Sequence, residues 1–183
     1  MKFLQWVWLG LLMLAACHSN DDAYLMGKNR LGKVHGGMGM EEVKQAYKDY
    51  KVEELAPQEN DFLKQTKLKI FGKDEKEPAL ILFYEHRGDS LVLTAGEPLS
   101  PDFHTAEGVH IQDRYEQWRK HYEPGEVTRT LRHVVVSVPS LNVHLLFDEE
   151  DLPEAIQNRR DVPLDGDSVK KSAKPEKVIV FFE

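Results

Sequence analysis

The chain of 183 residues holds a single cysteine, Cys17. One thiol cannot close an internal disulfide, and it cannot supply a cysteine-based zinc site. No apolar run reaches 18 residues, so no segment reads as a membrane-spanning helix. Basic side chains are also scarce, 24 against 31 acidic ones, for a net charge of −7. That balance lacks the basic footprint that displaces counterions, so no nucleic-acid partner is expected. A polybasic contact with anionic lipid is disfavoured for the same reason. The Gly-x-Ser-x-Gly elbow, phosphate-cradling glycine loop, dinucleotide fingerprint and His-Glu-x-x-His motif are all missing. Among 31 acidic residues some carboxylate pair is always at hand, so such a pair carries no signal for a glycosidase. The expectation is a protein that is not an enzyme and uses no cofactor and no metal.

What is present starts at the N-terminus. Lys2 precedes an apolar run from Phe3 to Leu14, broken only by Gln5 and Gly10. This is too short to span a bilayer and fits the hydrophobic region of a signal peptide. It ends in Leu14-Ala15-Ala16-Cys17, which resembles the bacterial lipobox. The resemblance implies that residues 1–16 are removed as a signal peptide and that Cys17 is acylated. The membrane is then a partner through lipid on Cys17. The other reading is an ordinary signal peptide with an incidental cysteine. Only Lys2 leaves with the leader, so the 167 remaining residues carry 23 basic and 31 acidic side chains, net −8. Residues 17–30 open with His18-Ser19-Asn20-Asp21-Asp22 and read as a polar tether. His18 is not the aspartate that marks inner-membrane retention, so an outer-membrane protein facing the periplasm is expected. Asp21-Asp22 faintly resembles the acidic export signal of Bacteroidota surface lipoproteins, which leaves surface display as a second reading.

Beyond the tether the chain echoes itself at an offset of 75. Val34, His35, Glu41 and Tyr47 align with Val109, His110, Glu116 and Tyr122. Val43, Ala46, Tyr47 and Tyr50 repeat at i, i+3, i+4, i+7, the stripe of an amphipathic helix. Tyr115, Trp118 and Tyr122 follow the same spacing, with Asp113 and Glu116 placed as a capping box. Strand-like runs come next: 66–71, 79–85 and 91–95 in the first half, 134–138, 143–148 and 177–182 in the second. Gly88-Asp89 and Pro139–Asn142 suit hairpin turns, and 148–176 reads as a long polar loop. The expected fold class is α+β, as two tandem units over 31–98 and 99–183. Each unit packs one helix on a three-stranded antiparallel sheet.

Gly37-Met38-Gly39-Met40-Glu41-Glu42-Val43 is similar to the Gly-Met-(Ser/Thr)-x-x-Glu-Val signature of the SmpA/OmlA family of outer-membrane lipoproteins. That family shares a fold with the tandem-repeat β-lactamase-inhibitor protein, so the resemblance implies a tandem architecture here. Gly39 departs from the pattern, because it stands where the family has a hydroxyl cap. The second copy lacks the Gly-Met pair.

The candidate chemical groups mostly have plainer readings. His35, His86, His104, His110, His121, His133 and His144 show neither H-x-H nor H-x-x-x-H spacing, so no metal pair is expected. Asp148-Glu149-Glu150-Asp151 lacks the spacing and turn glycine of a calcium loop. Asp165-Gly166-Asp167 and Arg87-Gly88-Asp89 read as turns. Tyr115, Trp118 and Tyr122 read as core before they read as a sugar-stacking platform. Ala79–Tyr84 and Val178–Phe182 are apolar on both faces, whereas a strand with one wet face should alternate. Something must cover the second face. The reading is a non-enzymatic envelope module with a protein partner. A binder of a small apolar ligand between its sheets and an envelope hydrolase without a known motif are the alternatives.

Overall fold

The structure, a computed structural model, describes residues 23–57, 64–72 and 76–183. The leader and Cys17 lie outside the described residues. Three short strands come first, β1 (Leu25–Gly27), β2 (Arg30–Leu31) and β3 (Val34–His35). Helix α1 (Met40–Ala46) leads into a meander of β4 (Val52–Leu55), β5 (Thr66–Phe71), β6 (Pro78–Arg87) and β7 (Ser90–Pro98). A short β8 (His104–Thr105) and helix α2 (Tyr115–His121) precede the second meander. Its strands are β9 (Val127–Arg129), β10 (Val134–Val138), β11 (Val143–Phe147) and β12 (Lys177–Phe181).

Two separate helix-on-sheet units are not what forms. The two meanders merge into one antiparallel sheet of eight strands, ordered β4-β5-β6-β7-β12-β11-β10-β9. A second sheet of four strands runs β3-β2-β1-β8. The helices are only seven residues each, so the α+β expectation gives way to a sheet-rich fold. The physical reason lies at the seam, where Gly96 opposes Val180 and Ala95 opposes Phe181. Separate meanders would leave two apolar strand edges unpaired, and joining them satisfies both. The tether is also shorter than expected. Residues 25–27 and 30–31 are strands, with Met26 and Leu31 fully buried.

Local chemistry explains both helix starts. Gly39 is the N-cap of α1, and the Glu42 carboxylate accepts from its N–H at 2.7 Å. Glycine has no side chain to return the bond. Asp113 does not cap α2. Arg114 occupies that position, while the Asp113 carboxylate accepts from the His110 N–H at 2.8 Å. The first-turn N–H groups of Tyr115 and Glu116 instead donate to the carbonyls of Ala173 and Lys171. The loop before β12 thus does the work of a cap.

Burial alternates strictly along β10 and β11, and closely along β5, β6 and β12. One face carries Leu68, Leu80, Leu82, Tyr84, Val134, Val136, Leu145, Val178 and Val180, all buried. Everything else packs there. Val43 comes from α1 and Tyr47 from its C-cap, Tyr115 and Trp118 from α2, and Val169 and Ala173 from the long loop. The Tyr115 ring meets Phe147 edge-on, with centroids 5.2 Å apart. At Gly96 a Cβ atom would come within 2.6 Å of Leu31, so the absent side chain lets the small sheet seat on the seam.

Trp118 is 1 % exposed and belongs to this core, with its ring centroid 6.1 Å from that of Tyr122. Trp118→Ala should therefore cost about 3–5 kcal/mol, measured by urea unfolding. A loss below about 1 kcal/mol would place the ring at the surface.

Candidate functional site

Most residues singled out from the sequence turn out to serve the fold. Tyr115, Trp118 and Tyr122 are all buried, so they form no sugar platform. The Asp148 carboxylate accepts from the Glu150 N–H, and that of Asp151 accepts from the Asp148 N–H, holding a 3₁₀ turn over Glu149–Asp151. Glu149 pairs with Arg129 at 3.0 Å. Asp165 accepts from Ser168 and from the Asp167 N–H, which hold its carboxyl below the usual carboxylate range. Asp167 pairs with Arg119. Gly88, at φ 62°, makes the β6–β7 turn, and Arg87 lies opposite Ser90. The His104 and His110 rings lie 5.4 Å apart, but their Nδ1 atoms face the carbonyls of Asp102 and Pro101. Among the described residues no three histidine, cysteine, aspartate or glutamate side chains gather as a metal set. Cys17 lies outside the described residues.

The doubly apolar strands are the feature that leads to a site. Leu80, Leu82, Tyr84, Val178 and Val180 fill the covered face. Ile81, Phe83, Ile179 and Phe181 point the other way and are half-buried. No described element covers that second face. Cross-strand register arranges it in rows. Lys67, Phe83, Ala95 and Phe181 stand side by side across β5, β6, β7 and β12. Ile179, His144 and Ser137 form the next row, and Lys177, Leu146, Val135 and Thr128 another. Two strand spacings of about 4.8 Å separate Phe83 from Phe181, with only the small Ala95 between. The result is a shallow apolar trough over the seam with aromatic walls.

Charge lies along one side of this trough and on its floor, where Glu97 of β7 stands opposite Ile81. The Lys67 ammonium lies 6.0 Å from the centre of the Phe83 ring, and Lys69 is the cross-strand neighbour of Ile81. Lys177 reaches Glu97 at 3.2 Å, so that carboxylate is already neutralised. His144 packs edge-on against Phe181, with centroids 4.6 Å apart. Burial pushes the His144 imidazole below its ordinary pKa of 6.5. The arrangement can bind an apolar surface; Ser137 stands beside His144 in its row, but the Ser137 hydroxyl donates to the Glu126 carbonyl at 3.0 Å. A partly open crevice lined by Tyr24, Tyr47, Tyr50, Phe71 and Phe103 holds about 10 Å³, room for one water.

Because the His144 pKa is lowered on folding, the unfolded chain binds its proton first as pH falls. The stability this residue contributes is complete above about pH 6.5 and is lost as pH falls from there through the folded value. Thermal melts between pH 7.5 and 5 should show this loss, and His144→Phe should flatten it.

Neither a protein-family model nor a curated protein matches the chain. The crystal structure of the uncharacterized protein yfeY from Escherichia coli is similar to it, with a TM-score of 0.53 and 18 % identity. The match covers 85 % of this chain and 96 % of that one. At this identity the likeness shows a shared fold and nothing of function.

Proposed function

We propose that the protein is a lipid-anchored module of the cell envelope that docks a protein partner on the open face of its sheet and performs no catalysis. The observation that carries this reading is the row of Phe83, Ala95 and Phe181. A monomer gains nothing from leaving two phenylalanines half-covered around a small residue, whereas a partner side chain entering the trough would bury both. Lys69, opposite Ile81, suits a partner that presents an apolar knob with a carboxylate at its edge. Anchoring follows from the Leu14-Ala15-Ala16-Cys17 string, with the outer membrane, facing the periplasm, as the location.

Charge substitutions on the two faces separate stability from binding. Leu82→Glu places a carboxylate in the closed core and should unfold the protein. Phe83→Glu should leave the melting temperature within a few degrees of the parent. A photo-crosslinking side chain at position 83, in growing cells, should then yield a discrete protein adduct that Phe181→Glu abolishes. A crosslinker at Lys120 on α2 should yield none. Equal adducts from both positions, or none from position 83, would overturn the docking surface.

A further inference from the structure

Register places several features at one end of the large sheet. Ile70 opposes Leu80, Leu80 opposes Pro98, Leu146 opposes Lys177, and Val134 opposes both Phe147 and Arg129. The β5–β6 connection, the segment after β7 and the β9–β10 turn therefore all leave from the same end. The chain comes in there too. Ala23 and Tyr24 lie against Phe71, Gly72, Ala79 and Phe103, and the Tyr24 ring meets Phe103 at 5.3 Å. This end also carries two exposed leucines. Leu99 follows β7, and Leu131 tips the β9–β10 turn with 96 % of its surface bare. Leu131 is flanked by exposed Arg132, and Arg160 donates to the neighbouring Thr130 carbonyl at 2.9 Å. In the acidic stretch at the same end Glu149 pairs with Arg129 and the Asp148 and Asp151 carboxylates accept from backbone N–H groups, while Glu150 is exposed.

We propose that this end of the sheet lies on the lipid surface and that Leu131 inserts into it as a second point of attachment. The inference rests on acylation of Cys17, stated above. Fully extended, the stretch from Cys17 to Ala23 reaches at most about 20 Å, so an acylated Cys17 holds this end close to the bilayer. Leu131, in the turn joining β9 and β10, stands between four and five strand spacings from β6, about 22 Å across the sheet. It can reach the same plane when that end settles. An apolar tip with guanidinium groups beside it matches the boundary between acyl chains and phosphates, where arginine pairs with the phosphate and leucine leaves water. A protein partner is the alternative occupant, and the test separates the two.

Once the leader is removed, the chain's remaining tryptophan is buried Trp118, so a new one reports on its own surroundings. Protein purified from the membrane fraction as Leu131→Trp is reconstituted into vesicles of phosphatidylethanolamine and phosphatidylglycerol. Its intact mass is read on the same sample. The added indole should shift to the blue and lose about half its emission to bromines placed ~5–10 Å deep, at the boundary of the acyl chains. Asp89→Trp, at the opposite end in the β6–β7 turn, should stay red-shifted and unquenched. Leu131→Trp unquenched in acylated protein overturns the membrane-facing end alone, whether or not its emission moves. A blue shift without quenching assigns the tip to a protein contact. Equal quenching at both positions overturns the orientation, and a mass without acyl groups overturns both this inference and the anchored module.

Discussion

The pairing of β7 with β12 is the contact on which the rest of the molecule depends. A seven-residue helix is far below the length at which a helix holds itself together, so neither α1 nor α2 could stabilise a meander alone. Joining the meanders makes one buried face wide enough for both helices, the small sheet and the long loop. Gly96 sits at this seam, and its missing side chain admits Leu31 from the small sheet. The same two strands therefore carry the join between halves and the seat for the N-terminal strands.

The consequence is a molecule with a strong division of labour between surfaces. Stability is concentrated on one face of the sheet, which leaves the other free to carry Phe83, Phe181 and Ile179 without packing duties. In the proposed orientation, with the strand ends toward lipid, the strands would stand upright and the open face would rise from the bilayer. A partner would then approach sideways, within the layer of space next to the membrane. Anchoring and docking, as proposed, would use separate residues and would not compete.

The sequence made the strands legible wherever apolar and polar residues alternate. Thr66–Phe71 and Val134–Val138 occupy the expected bounds. Val52-Glu53-Glu54-Leu55 and Val127-Thr128-Arg129 were missed because they are short, and at an edge half their residues face water. The doubly apolar strands pointed to the open face, since a strand that fails to alternate must be covered twice. Alternation says nothing about which strand lies beside which, so the fusion of two meanders into one sheet was hidden. Leu131 gave no periodic signal, being in a turn. A lone leucine between Thr130 and Arg132, just before a strand, is the pattern that marks it. The helix spacing did identify Tyr115, Trp118 and Tyr122 as core, yet it could not reveal that a loop more than 50 residues on would cap α2.

Both margins of the large sheet bear on how such molecules behave when crowded. At β9, Arg129 donates to the carbonyls of Ile156 and Arg159, and Arg160 to that of Thr130, strapping the loop against the strand. At β4, the far edge is left to Glu53 and Glu54, which pair with Lys51 and Lys44. An unpaired strand invites a second copy to add on, and charged residues along it make that addition costly. Proteins tethered to one surface meet each other far more often than they would in bulk solution. Under the proposed anchoring, edges guarded by a strap and by ion pairs would let many copies share one surface without zipping into continuous sheet.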